Sequence, residues 1–156
     1  MEKLSEELVD FFQRQNFTIV TTIDEDGMPH NSCKGLVKID TEGRAYLLDL
    51  YRARTYDNLK RNPRISITVV DEHEFSGYCL KGKAKIAKTT ELEPGIIKAW
   101  EDRISSRITQ RIIKNIQGKK GHTGQPEALL PKPEYVISME VEKVVDLTPG
   151  HIKEET

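Results

Sequence analysis

The sequence has few cysteines and little net charge. The first shortage argues against a disulfide-stabilised protein, and the second against a protein that binds nucleic acid or acidic membranes through its overall charge. Its 156 residues include two cysteines, Cys33 and Cys79, which lie in separate strand-like runs without a Cys-x-x-Cys spacing. This usage is typical of reduced thiols in a cytosolic protein and not of a disulfide framework. The formal net charge of −1 supplies no overall attraction to nucleic acid or to acidic membranes. We therefore expect no nucleic-acid partner.

Long apolar runs and metal-binding motifs are also missing. No apolar stretch approaches the roughly 20 residues that cross a bilayer, and no signal-peptide pattern is present. The four histidines are scattered without His-x-His or His-Glu-x-x-His spacing, which argues against a metal site. We expect a cytoplasmic protein with no membrane partner. Its length suits a single domain over residues 1–156, because a chain of this size can bury a substantial core.

What the sequence does contain is a series of strand-like segments joined by turns, at residues 17–23, 28–39, 44–50, 64–71, 78–87 and 135–147. Gly82 inside the fifth segment predicts a bulge or a close backbone approach. Apolar residues at helical spacing predict an amino-terminal helix over residues 2–15 and a long helix over 91–117, which a loop over 118–133 separates from the last strand. Six strands, mostly in hairpins, predict a closed or nearly closed antiparallel barrel, because closure removes exposed edges.

The segment between the third and fourth predicted strands has the character of a phosphate site. Arg52 and Arg54 stand before a short predicted helix, Thr55 stands where an N-cap would lie, and Asn62-Pro63 ends the helix. A helix start offers unpaired N–H groups and a positive dipole end. A hydroxyl and guanidinium groups would add charge-assisted hydrogen bonds to a phosphate. From spacing alone, a solvated loop beside a capped helix explains the same residues equally well.

Three ordered segments carry a resemblance to a known family. Thr-Thr-Ile-Asp-Glu-Asp-Gly-Met-Pro-His at residues 21–30, Asn-Leu-Lys-Arg-Asn-Pro-Arg at 58–64 and Leu-Lys-Gly-Lys-Ala at 80–84 resemble the pyridoxamine 5′-phosphate oxidase-like, FMN-binding split-barrel superfamily. The resemblance implies a mainly β fold, a six-stranded antiparallel split β-barrel. It also implies a homodimer with FMN in a groove between the subunits.

The family's cofactor residues are carried over by position. Arg54 and Thr55 fall where the family's basic pair contacts the FMN phosphate, and Arg52 could add charge. The residues implied to run along the flavin are Ser32, Cys33, Lys34, Leu47 and Leu48. Ser32 replaces the phosphate-binding arginine of the true oxidases, and residues 147–151 show no basic substrate-binding segment. These departures argue against pyridoxine phosphate oxidase activity.

The function implied by the resemblance is that of an FMN-dependent oxidoreductase acting on a small organic substrate. No catalytic side chain can be assigned. The alternative is a non-catalytic protein that binds a flavin, a deazaflavin or a haem on the same fold.

A stripe of three arginines, Arg103, Arg107 and Arg111, recurs every four residues on the long predicted helix. It could bind nucleic acid or clamp an anionic ligand. We favour a third interpretation, a solvated helix face, because no aromatic residues interleave the basic run as a single-strand platform requires. We expect Trp100, on the same helix, to lie in the core or in a dimer interface.

Overall fold

The computed structural model describes residues 1–49, 53–91, 94–119 and 135–153. These ranges contain seven strands, β1 (Thr18–Ile23), β2 (Pro29–Lys34), β3 (Leu36–Ile39), β4 (Arg44–Asp49), β5 (Arg64–Asp71), β6 (Ser76–Lys88) and β7 (Tyr135–Asp146). They also contain the helices α1 (Glu6–Arg14), α2 (Arg54–Arg61), α3 (Pro94–Ile116) and α4 (Gly150–Lys153).

The strands form one antiparallel sheet in the order β2-β1-β5-β6-β7-β4-β3. β2 and β3 lie at opposite ends of this order, yet they follow one another in the chain with only Gly35 between them. Because the two ends are joined covalently, the sheet curls into a split barrel, which confirms the predicted fold class. The strand count is seven and not six, because the predicted strand over residues 28–39 leaves β1 after Lys34 and pairs with β4 from Leu36 onward.

The barrel interior is filled by side chains that alternate along the strands, as the pleat of a β-strand requires. β5 places Ile65, Ile67 and Val69 inside, and α1 covers this core with Phe11 and Phe12. A second, smaller cluster lies on the outer face of the barrel, where Ile96 of α3 packs against Leu48 of β4 and Val136 of β7. The long helix therefore lies against the barrel wall.

The boundaries of this long helix differ from the prediction. α3 begins at Pro94 and not at residue 91, because Thr89–Glu91 forms a 3₁₀ turn and a proline fits the first helical position. The isoleucines that recur along α3 are buried only near its start, since Ile96 is buried whereas Ile116 is 80% exposed. Most of the predicted loop over residues 118–133 lies outside the described residues.

Gly82 occupies a register shift between β6 and β7. The pairing is irregular between Lys81 and Gly82, and a Cβ built on Gly82 would overlap the carbonyl oxygen of Glu140 on the neighbouring strand. The close approach predicted from the sequence is therefore confirmed. Any side chain at this position must push the central strands of the sheet apart.

We expect Gly82→Ala to lower the free energy of unfolding by about 1–3 kcal/mol, the usual cost of forcing atoms into a packed site. Gly95→Ala is the matched control, because a Cβ at Gly95 in the first turn of α3 meets no atom and alanine favours a helix. Urea unfolding of the two variants measures the difference. Equal stabilities would contradict the close packing at Gly82.

Candidate functional site

The amino terminus of α2 lies against β2. The N-cap of α2 is Ala53, and no side chain caps it. Thr55 is the second residue of the helix and is 3% exposed, so the prediction that it forms the N-cap is wrong. Its hydroxyl instead lies 3.0 Å from the hydroxyl of Ser32 on β2. The N-cap thus lies two residues before the predicted one, and the Thr55 hydroxyl bonds a side chain on β2 and not the helix backbone.

A buried amide anchors the next turn of α2 to β1. Asn58 is buried, and its Nδ2 donates to Thr22 Oγ1 at 3.0 Å and to Asp24 Oδ1 at 2.9 Å. Arg61 Nη2 donates to the remaining Asn58 oxygen at 2.9 Å. A buried polar group is stable only when its hydrogen bonds are satisfied, and Asn58 fulfils this requirement. These bonds hold the start of α2 at a defined position beside Ser32.

The sequence analysis missed Asn58. A signal for it did exist, since Arg54, Asn58 and Arg61 are spaced four and three residues apart and therefore share one face of α2. The contact between Asn58 and Thr22 could not be predicted from the sequence, because it depends on how the barrel closes.

Arg54 lies at the edge of an open cleft beside this network. Its side chain is 65% exposed, and Nη1 lies 3.7 Å from Asp24 Oδ2. An exposed pair of this kind contributes little free energy, so the guanidinium can exchange Asp24 for another anion. The cleft has a volume of about 570 Å³ and is also lined by Glu25, Asp26 and Asp57. An incoming phosphate would therefore compete with carboxylates for Arg54.

The residues predicted to run along the flavin lie on two faces of the barrel wall. Ser32 and Lys34 are paired with Val20 and Thr18, which are buried, whereas Cys33 is exposed beside Ile19. Successive residues of a strand point to opposite faces, so one face of a ligand can meet Ser32 and Lys34 but not the Cys33 side chain.

The same alternation separates Leu47 from Leu48. Leu47 is fully buried in the barrel core, whereas Leu48 points outward into the cluster beneath α3. The structure thus brings Ser32 and Thr55 together beside Arg54, and it places Leu47 out of reach of any ligand on the outer wall. Arg52 lies outside the described residues.

The arginine stripe of α3 is not a solvated face, which corrects the interpretation that we favoured from the sequence. Arg103 Nη2 donates to the carbonyl oxygen of Gln15, the C-cap of α1, at 2.6 Å. Arg107 places its guanidinium carbon 4.5 Å from the centre of the Phe17 ring, a distance that permits a cation–π contact. Burial, and next the neighbouring Arg107, lower the pKa of Arg103 below its usual value.

The described residues contain no group of three or more His, Cys, Asp or Glu side chains that could hold a metal ion. None of their helices combines the length and the apolar character needed to span a membrane.

The curled antiparallel sheet, closed through Gly35 and covered by α1 and α3, defines a split-barrel protein. A family model described as pyridoxamine 5′-phosphate oxidase matches residues 4–144, and the chain therefore belongs to this family. A search of curated proteins finds no match.

Several solved structures share the fold. HupZ of Group A Streptococcus is 20% identical with a TM-score of 0.65, and the match covers 94% of this chain and 96% of that one. A Clostridium acetobutylicum protein related to general stress protein 26 of B. subtilis, of the pyridoxinephosphate oxidase family, is 17% identical with a TM-score of 0.59, covering 96% and 99%. An F420 reductase is 14% identical with a TM-score of 0.57, covering 91% and 98%. Identities this low show the fold alone.

Proposed function

We propose that this protein binds FMN and acts as an oxidoreductase on a small organic substrate, with the flavin as its redox centre. Membership of the pyridoxamine 5′-phosphate oxidase family supports a flavin-type cofactor. The observation that carries the proposal is the start of α2, where Ser32 meets Thr55, no side chain caps the helix and Arg54 is exposed.

These residues fit a phosphate group. The first N–H groups of a helix lack intrahelical partners and carry partial positive charge, and an uncapped start leaves them available to an anion. Arg54 adds a guanidinium whose donors suit phosphate oxygens. The bond between Ser32 and Thr55 fixes the first turn of α2 against β2, so that the donors are held in place before the ligand arrives.

The remaining cofactor residues would act on the ring end of FMN. Lys34 would supply positive charge on the same face of β2 as Ser32, whereas Leu48 is buried beneath α3 and offers the ring no exposed surface. When bound, the flavin accepts or donates electrons and hydride, and the protein contributes binding, orientation and electrostatics. Ser32 stands where the true oxidases have an arginine, so we do not assign pyridoxine phosphate oxidase activity.

We also propose a homodimer with the cofactor between the subunits. The resemblance implies that Leu47 and Leu48 run along a flavin at this interface, but both are buried within their own chain. The last turns of α3 are the better candidate, because Ile112, Ile113 and Ile116 are exposed. Stable dimer interfaces bury apolar surface of this kind. Cys33 and Cys79 are free thiols, which supports the proposal of a cytoplasmic location.

A second candidate function is a deazaflavin-dependent reaction on the same barrel. The specific observation in its favour is the F420 reductase among the similar structures.

We expect Arg54→Ala to weaken FMN binding by about one to two orders of magnitude, because a hydrogen bond to a charged group contributes roughly 1.5–3 kcal/mol. Riboflavin, which lacks the phosphate, should bind weakly and respond little to the substitution. Fluorescence titration of both ligands measures the two dissociation constants.

Two variants sharpen this test. Lys60→Ala removes one positive charge from the same helix but lies outside the cleft, and it should leave FMN affinity nearly unchanged. Asp24→Asn removes the competing carboxylate and keeps an oxygen for Asn58, so it should tighten FMN binding several-fold. An equal loss of FMN and riboflavin affinity in Arg54→Ala would contradict phosphate anchoring at this site.

We expect the protein to sediment as a dimer at micromolar concentration and Ile116→Glu to shift it toward monomer, since a buried unpaired charge opposes association. Val70→Glu is the control, because Val70 is also an exposed apolar residue (60%) but lies on β5, away from α3. A monomeric wild type, or dissociation by Val70→Glu alone, would contradict an interface on the distal turns of α3.

A further inference from the structure

We propose that the cavity between α3 and the outer barrel wall binds the carboxylate group of a small organic acid. Gly35, Val37 and Leu48 line the cavity on the barrel side, and Trp100, Arg103 and Arg107 line it on the helix side. Its volume is about 70 Å³, several times the space that one buried water requires. It can therefore hold a group of a few heavy atoms.

Arg103 supplies a hydrogen-bond donor that a bound anion would satisfy. Its Nε is buried and has no hydrogen-bond partner among the described residues, although Nη2 of the same side chain bonds the Gln15 carbonyl. Buried donors are almost always satisfied, and an unsatisfied one carries a free-energy cost. A carboxylate oxygen in the cavity would accept from Nε and remove that cost.

The charge balance around Arg103 points in the same direction. Arg107 lines the same cavity, and burial together with the like charge of Arg107 lowers the pKa of Arg103. No acidic side chain pairs with Arg103 in the part of the chain that the structure describes. A bound anion would offset both the burial of this cation and its repulsion by Arg107.

The walls select an organic acid over an inorganic anion. Val37, Leu48 and Trp100 belong to the apolar cluster under α3, and an apolar body favours such a surface. An acid with a short aliphatic or aromatic body therefore fits this cavity. Its body would contact the apolar wall, and its carboxylate would bond Arg103. Sulfate or phosphate would place charge against the apolar wall without compensation.

The carboxylate site does not rest on the proposed flavin function. The cavity shares no lining residue with the cleft beside Arg54. Occupancy of the cavity can be measured without flavin turnover, so that failure of either proposal leaves the other standing.

Trp100 is the only tryptophan in the chain, and its fluorescence reports on the cavity directly. Purified protein, with any cofactor it carries, is titrated with sodium butanoate at constant ionic strength. We expect a saturable change in Trp100 emission at millimolar concentration. Butanamide, which has the same shape without the charge, should produce no saturable change. Absence of saturation with butanoate, or equal binding of butanamide or sulfate, would overturn the proposal.

Variants locate the response. Arg103→Gln should weaken butanoate binding at least tenfold, whereas Arg111→Gln, two turns further along the same stripe and outside the cavity, should bind like the wild type. Val37→Phe fills the cavity and leaves Arg103 in the sequence. It should abolish butanoate binding even if Arg103→Gln proves unstable. Wild-type affinity in either Arg103→Gln or Val37→Phe would overturn the assignment.

Discussion

The continuous run of chain over residues 29–39 is the constraint on which the rest of the structure depends. Its first half, β2, hydrogen-bonds to β1, and its second half, β3, hydrogen-bonds to β4. Gly35 stands between them. This one segment joins the two ends of the sheet and curls it into a split barrel. The spatial neighbours of residues near Gly35 therefore depend on the closure of the barrel and not on the local sequence.

Closure also creates two cationic sites of different character. On one side, Ser32 meets Thr55 beside Arg54, whose exposed guanidinium makes only a long contact with Asp24 and can change partners at little cost. On the other side, the Arg103 side chain of α3 is half-buried and donates to the Gln15 carbonyl. The first arrangement suits a phosphate that binds and leaves from solvent. The second suits a small anion enclosed by apolar walls.

Local patterns in the sequence were enough to predict much of the fold. Alternation located the strands, the isoleucine spacing located α3, and Gly82 signalled the irregular pairing with β7. The break at Gly35 could not be predicted, because the strand-like pattern continues on both sides of it and only the partner strand changes. For the same reason the sequence indicated six strands where the structure has seven.

The candidate site was predictable only in part. Arg54 and Thr55 were selected from the local helix-start pattern and Ser32 through the family resemblance, and whether these residues bind a cofactor stays a prediction. The role of Thr55 as an N-cap was wrong because its partner, Ser32, is distant in sequence. Arg103 was misjudged because its acceptor, the Gln15 carbonyl, lies 88 residues away in the sequence. The contacts of Gln15 with Arg103 and of Asn58 with Thr22 could not be predicted from the sequence, because they depend on the closed barrel.

The central claim is that the barrel holds FMN, and the most direct measurement is to identify the small molecule that accompanies the purified protein. Absorbance and mass spectra of the protein, and of the ligand released on denaturation, provide that identification. We expect the yellow spectrum of an oxidised flavin and the mass of FMN. A haem Soret band, a deazaflavin mass, or a colourless protein that does not take up added FMN would contradict it.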